Sequence, residues 1–250
     1  FAEAKQNSSG DQVDITPSSV HLYLLSGFKP GWIYELIYKT EGSRVMGLGL
    51  VGIRDLVGFL RYDDKDSKGI TNPLAGAIEK VYGYGSSLCA RVLRQSIYDG
   101  YNIDATGRRI FDAVYPHVSG GGRVFANIRF AQVGRFPRQH EEHQWPSERY
   151  PFAYSAVPDP FTEELDSVLK RPESDPLIMH THTGTEYWQR HASLGHTDPR
   201  NGDDLDFPEN VRVYALASAH HGGMPGASQQ LANTMTVGPF MRANLISLDN

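Results

Sequence analysis

The stretch Ile78-Glu-Lys-Val-Tyr-Gly-Tyr-Gly-Ser-Ser-Leu-Cys-Ala-Arg-Val-Leu-Arg-Gln-Ser-Ile97 decides how this chain reads. Its first part, Val81 to Tyr84, is short, β-branched and aromatic, as a buried strand is. From Leu88 onward, Leu88, Val92, Leu93 and Ile97 fall near helical spacing. Between the two lies Gly85-Ser86-Ser87-Leu88-Cys89. A strand that turns sharply into a helix, with serine at the corner and glycine two residues before it, is the pattern of a nucleophile elbow. Such a corner strains the serine backbone and needs small neighbours. Gly85 meets that need on one side; Cys89 and Ala90 stand where the second glycine usually lies. The plainer reading is a strand, a turn and a helix with a solvated serine pair.

Outward from this stretch, the pattern alternates. Trp32–Lys39 and Val20–Leu25 read as strands around the turn-like Gly27-Phe28-Lys29-Pro30-Gly31, after a polar, flexible lead-in over residues 1–19. Glycines crowd Gly47 to Gly52, either as a loop that approaches a ligand or as a close packing contact. Ile53–Tyr62 reads as a helix with Ile53, Leu56, Val57 and Leu60 on its buried face. Ile110–Val118, Pro176–His182 and Val211–Ala217 read as strands, and Glu186–Leu194 as a helix. Met235–Leu248 reads as partly helical with Met241, Leu245 and Leu248 inward. Residues 123–175 lose all periodicity and hold Trp145 and prolines from Pro137 to Pro160, which reads as a lid-like insertion. Alternating strands and helices predict one α/β domain over residues 1–250, with a mostly parallel sheet and helices on both faces.

Composition narrows the function classes. With 40% hydrophobic and 21% charged residues, the chain is ordinary for a globular protein. A net charge of −5 argues against a dedicated nucleic-acid or anionic-membrane surface. The single cysteine, Cys89, rules out an intrachain disulfide and a cysteine-built zinc site. No run approaches the roughly 20 apolar residues of a membrane span. The first residue is Phe1 rather than Met, which reads as a processed or trimmed chain.

A serine hydroxyl needs a histidine to take its proton and a carboxylate to orient that histidine. In enzymes built on this elbow the order is serine, acid, histidine, each on a loop after a strand. The chain offers Ser87, then Glu186 in Thr183-Gly-Thr-Glu186, then His221 in Ala219-His-His-Gly222. Ser86 competes as nucleophile, but its residue at −2 is the bulky Tyr84. His220 competes with His221, which the adjacent glycine favours as a loop-tip residue. Asp198, Asp203, Asp204 and Asp206 compete with Glu186, though their polar stretch reads as a solvated loop. The backbone N–H of Leu88 is the expected first oxyanion donor. The second is unassigned, with Gly47–Gly52 a weak candidate. His140 and His143, three apart, and His180 and His182, alternating on a strand, could hold a metal, but no third ligand is fixed by spacing, so no metal and no cofactor are assigned.

Specific runs resemble a family of bacterial and fungal α/β-hydrolase domain-containing proteins. They are Trp32-Ile-Tyr-Glu-Leu-Ile-Tyr38, Gly47-Leu-Gly, Arg54-Asp-Leu, Pro116-His-Val-Ser-Gly-Gly-Gly-Arg123, Arg129-Phe-Ala-Gln132, Gln139-His-Glu-Glu-His143, Thr185-Glu-Tyr-Trp188, His196-Thr-Asp-Pro199, Asn210-Val-Arg-Val-Tyr214 and His221-Gly222. The similarity covers Gly27 to about Gly223. The family elbow has the form Gly-x-Ser-Gln-Ser-Gly-Arg followed by Phe-Leu-Arg. Here it reads Gly85-Ser-Ser-Leu-Cys-Ala-Arg91-Val-Leu-Arg94, which aligns Ser87 with the nucleophile and departs at Leu88-Cys89-Ala90. The resemblance implies an α/β-hydrolase fold, a Ser87–Glu186–His221 triad and hydrolysis of a small-molecule ester. A non-catalytic binding protein on a hydrolase scaffold, or a metal-dependent hydrolase using His140 and His143, are the alternatives. Members are usually longer at the N-terminus, so early sheet strands are expected to be missing here. Many carry secretion signals, so the resemblance is compatible with a secreted or periplasmic protein.

Overall fold

Four stretches, Tyr82–Ser86 (β3), Ala113–His117 (β4), Leu177–Thr183 (β7) and Val211–Leu216 (β8), form one sheet in the order β3-β4-β7-β8. All three pairings are parallel, with Tyr84 opposite Tyr115, His117 opposite Thr181, and Thr183 opposite Leu216. The structure is a computed structural model that describes residues 2–6 and 13–17 (backbone only), 21–32, 34, 36, 39, 41–42, 44–124, 149–222 and 233–250. Parallel strands joined by crossovers are covered on both faces, so they read as continuous apolar runs. β4 obeys this rule, since all five of its residues are buried.

Alternation along the strands sorts side chains between two cores. Val114 and Ile178 point to one face, where they pack with Ile97 of helix α2 (Leu88–Tyr98) and Val57 of helix α1 (Leu48–Tyr62). Ala113, Tyr115 and Met179 point to the other, where Leu248 of helix α4 (Gly238–Asp249) meets them. Helices therefore cover both faces, as the sequence predicts. Between β7 and β8 lie the short helix α3 (Gly184–Gln189) and a 3₁₀ turn, Ala192–Gly195.

Contacts divide the chain into two compact units, Phe1–Gly42 and Ser43–Asn250, where the sequence reads as one domain. In the first unit β1 (Ala2–Gln6) pairs antiparallel with β2 (Val13–Pro17), so the expected flexible lead-in contains a hairpin. Its signal is the alternation Val13-Asp-Ile15-Thr, which the surrounding polar residues obscure. The strands expected at Val20–Leu25 and Trp32–Lys39 are not found among the described residues there.

Three further expectations need correction. Helix α1 starts at Leu48, so Gly47–Gly52, which reads as a ligand-approaching loop or a close packing contact, is the beginning of a helix, and a Cβ on Gly49 or Gly52 would meet nothing within 4 Å; Gly47 caps the helix with a left-handed φ of 81°. The buried stripe of α1 also differs. Ile53 and Leu56 are exposed, whereas Leu50 and Gly58 are buried. The stripe carries Arg61, whose guanidinium donates to Ile110 O and to Asp112, so a basic residue occupies the inward face. In α4, Leu248 is buried but Leu245 is exposed.

Of the lid-like insertion, residues 125–148 lie outside the described residues, with Trp145, His140 and His143 among them. The described remainder is not a free flap. Val157–Pro158 (β5) pairs with Leu165–Asp166 (β6), and Tyr154, Val168 and Leu169 are part of the core. Among the described residues no helix is long and apolar enough to cross a membrane.

Candidate active site

Because β3, β4, β7 and β8 run in one direction, their C-terminal ends share one edge of the sheet. The loops that follow them converge there, which is where open α/β sheets bind ligands. Three non-glycine residues in these loops take left-handed backbone angles: Ser87 after β3 (φ 56°), Val118 after β4 (φ 51°) and Ser218 after β8 (φ 61°). Each is a sparsely populated conformation that the surrounding structure must enforce.

Ser87 sits at the corner between β3 and α2 with φ 56° and ψ −118°. Its N–H donates to His117 O at 2.8 Å, and its carbonyl accepts the first bond of α2 from Arg91 N at 3.2 Å. The turn is tight enough to exclude a side chain at Gly85. A Cβ there would lie 2.5 Å from Cys89 O and 2.8 Å from Ala90 N. Ala90 is fully buried, whereas Cys89 is exposed, so the small residue the corner requires on the helix side is Ala90. The departures at Leu88 and Cys89 leave the corner geometry intact. Leu88 opens α2, where the first backbone N–H groups have no partner within the helix. Ser86 is the last residue of β3.

Glu186 is held by local sequence. Thr183-Gly-Thr-Glu186 is a capping-box pattern, and Glu186 Oε2 accepts Thr183 N–H at 2.7 Å and Thr183 Oγ1–H at 2.5 Å. The carboxylate is 0% exposed. Its other oxygen, Oε1, lies 2.5 Å from His221 Nδ1, and His221 Nε2 lies 2.9 Å from Ser87 Oγ. Burial pushes the Glu186 carboxyl upward, but the hydrogen bonds from His221 and Thr183 outweigh it and hold the group below its ordinary value. Glu186 is thus ionised beside the histidine. The histidine loop is tied to the acid loop twice, by Gly184 N–H to Ala219 O at 3.0 Å and His221 N–H to Thr185 Oγ1 at 3.1 Å.

The competing residues go elsewhere. Asp198 forms a salt bridge with Arg200 at 2.6 Å, and Asp203 accepts from Asn201. Asp204 lies 3.9 Å from His196 Nδ1, and the Asp206 carbonyl accepts from Ser155. The His220 side chain does not make the bonds to Ser87 and Glu186 that His221 makes.

A second group of histidines stands behind the site. His180 Nε2 lies 2.9 Å from Ser119 Oγ, and His180 Nδ1 lies 2.9 Å from the Tyr154 hydroxyl. Ser119 Oγ donates to Gly120 O, so it accepts from His180 Nε2–H, and Nδ1 accepts from Tyr154. The His180 and His182 rings lie with their centroids 4.0 Å apart, tilted by 51° to each other. Burial drives both rings toward the neutral form, His182 down to about 3. These two histidines therefore serve the core, and among the described residues no three His, Cys, Asp or Glu side chains are grouped to hold a metal.

A cleft of ≈ 330 Å³ opens over Ser87 and His221. Its walls include Val118, Ser119, Thr185 and Arg91, which follows Ser87 by one helical turn. Gln189 and Arg190, at the end of α3, complete it. None of the Gly47–Gly52 stretch lines the cleft, so that candidate for the second oxyanion donor is set aside. The sequence places Arg91 in the elbow motif without giving it a role, and does not single out Arg190; the signal for Arg91 is its position four residues after the corner serine.

Two buried arginines of α2 fix the loop after β4. Arg91 Nε donates to Ser119 O at 2.8 Å. Arg94 Nη1 donates to the carbonyls of Gly120, Gly121 and Gly122 at 3.0, 2.7 and 2.9 Å. Its Nη2 donates to Phe152 O.

Residues 44–244 match the profile of the family described as "Alpha/beta hydrolase domain". No curated protein and no solved structure matches the chain.

Proposed function

The chain belongs to the alpha/beta hydrolase domain family, and from that premise we propose that it is a serine hydrolase acting on a carboxylic ester. One observation carries the reading: Ser87 Oγ, His221 and buried Glu186 form a continuous hydrogen-bonded line at a left-handed strand-to-helix corner. A satisfied structural histidine would not need an ionised, fully buried carboxylate on one side and a strained serine on the other.

In this reading Ser87 Oγ attacks the acyl carbon while His221 Nε2 takes its proton. Glu186 accepts the Nδ1–H bond, which fixes the tautomer and stabilises the imidazolium that forms. The oxyanion is met by the N–H of Leu88 at the start of α2, where the helix dipole also favours negative charge. His221 then gives its proton to the departing alcohol, leaving an acyl group on Ser87. Water, deprotonated by His221, attacks that acyl group and frees the acid and Ser87.

The test is labelling with a fluorophosphonate, read by intact mass and peptide mapping on the wild type and on Ser87→Ala. An adduct on Ser87 that disappears in the variant supports the reading. A folded wild type that takes no label would overturn it and favour a binding protein on a hydrolase scaffold.

A further inference from the structure

Helix α3 is turned inside out. It buries its carboxylate, with Glu186 0% exposed, and leaves its largest apolar side chain, Trp188, 90% exposed. An amphipathic helix ordinarily does the reverse. Thr183 and His221 account for the buried carboxylate, but the indole has no part in the triad. Helical spacing shows where it stands. Thr185 and Gln189, one turn apart on α3, both line the cleft over Ser87. Trp188 follows Thr185 by three residues, so the two are neighbours on one side of the helix, with Glu186 roughly 160° away around the axis. The indole therefore stands at the rim of the cleft, beside Thr185. From this placement we infer that Trp188 determines specificity in the hydrolase proposed above, as a stacking platform for an aromatic ring on the leaving alcohol of the ester. The inference rests on that proposal and names the alcohol class.

Two observations assign the ring to the alcohol rather than to the acyl group. Thr185 Oγ1 accepts His221 N–H at 3.1 Å, and Gly184 N–H donates to Ala219 O at 3.0 Å, so α3 and the histidine loop form one wall. His221 Nε2, 2.9 Å from Ser87 Oγ, is the atom that must reach the departing oxygen. The acyl oxygen turns the other way, toward the N–H of Leu88 at the start of α2. The alcohol thus leaves along the wall that carries Trp188.

The platform is held firmly. The capping box of Thr183 and Glu186 fixes one end of α3, and Arg190 N–H on Glu186 O at 3.0 Å closes the other. Stacking there requires little further ordering of the protein. An indole presents a wide π-face, and an offset or edge-to-face ring on it gains more than its buried area alone provides. A small aliphatic alcohol has no such face to offer and leaves the indole in water.

The experiment measures kcat/KM for benzyl acetate and for ethyl phenylacetate, each as a ratio to ethyl acetate, with Ser87→Ala as the control for Ser87-dependent turnover. The first ester carries the ring on the alcohol, the second on the acyl group. The benzyl ratio should exceed one in the wild type and fall by roughly three- to tenfold in Trp188→Ala, with Trp188→Phe restoring most of it. Because the indole is 90% exposed, Trp188→Ala should melt as the wild type does. A benzyl ratio that Trp188→Ala leaves unchanged, or a fall confined to ethyl phenylacetate, overturns the inference, while Ser87-dependent turnover keeps the serine-hydrolase reading standing. If no ester is turned over, that reading fails separately and titration with benzyl alcohol decides the platform. A saturable change in tryptophan fluorescence that is lost in Trp188→Ala supports it, and the same response in both proteins overturns it.

Discussion

Gly85→Ala tests the corner geometry most directly. A methyl group at that position would lie 2.5 Å from Cys89 O, 2.6 Å from Cys89 C and 2.8 Å from Ala90 N. Ordinary contacts begin near 3.4 Å, so the first turn of α2 must retreat by roughly an ångström. All three clashing atoms are backbone, which cannot rotate away as a side chain can. Gly83→Ala is the internal comparison. Its Cβ would meet Leu93 Cδ2 and Val114 Cγ1 at 3.2 Å, both of them side-chain ends that can give. Overpacking typically costs about 1–3 kcal/mol, so Gly83→Ala belongs at about 1 kcal/mol and Gly85→Ala at about 3 kcal/mol or above. For a chain of this size that separates the two by several degrees, with Gly85→Ala melting about 6–12 °C below wild type. Circular dichroism melts and urea titrations read the stability, and fluorophosphonate labelling reads the corner. Gly85→Ala should also label far more slowly than its residual fold predicts, because moving the turn displaces Ser87 from His221. A Gly85→Ala protein that melts and labels like the wild type would refute the close approach of strand and helix.

Three other outcomes follow from the same structure. Glu186→Gln keeps the shape but removes the charge facing His221, so kcat/KM on any ester turned over should fall by about 10³-fold or more with little change in KM. Arg94→Met strands the carbonyls of Gly120, Gly121 and Gly122; at about 1 kcal/mol or more for each, the variant should lose several kcal/mol in urea titration, whereas a wild-type titration curve would show that the carbonyls find other partners. Acid should weaken the fold before the carboxylates titrate. The unfolded chain protonates its histidines near 6.5, but buried His182 resists until about 3, so between those values the unfolded state binds more protons. Stability is then complete above about 6.5 and declines as pH falls, by about 1.4 kcal/mol per pH unit for such a ring. His117 and His180 are displaced in the same direction, each first by burial. Urea midpoints at pH 7.5, 6 and 5 measure this, His182→Gln should flatten the slope, and a pH-independent midpoint would contradict it.

Much of the site was legible because its signals are local. Gly85 and Ser87 lie within one turn of chain, and Thr183 to Glu186 is a capping pattern four residues long. Their order along the sequence then follows from parallel topology, since each loop leaves the same sheet edge. What was not legible depends on distant partners. The inward face of α1 carries Arg61, because Asp112 and Ile110 O wait for it across the core, and an apolar periodicity rule cannot anticipate that. Tyr154, Val168 and Leu169 enter the core from irregular chain, where there is no period to read. Arg190 reaches the cleft only because Gly120 and Gly121 let two backbones touch. Leu245 fails for the opposite reason, being apolar yet exposed, as a good part of any protein surface is.

The hydrogen bond between Ser87 and His221 joins residues 134 apart in sequence, and their strands lie at opposite edges of the four-stranded sheet. Contacts of such long separation lose the most chain entropy on closing and are disfavoured until the intervening strands are in place. Helix content and the β3–β4 pairing draw on much nearer residues and should return earlier when the denatured chain is diluted into buffer. Reactivity of Ser87 would then be the last property to recover, and its time course would serve as a clock for completion of the whole sheet.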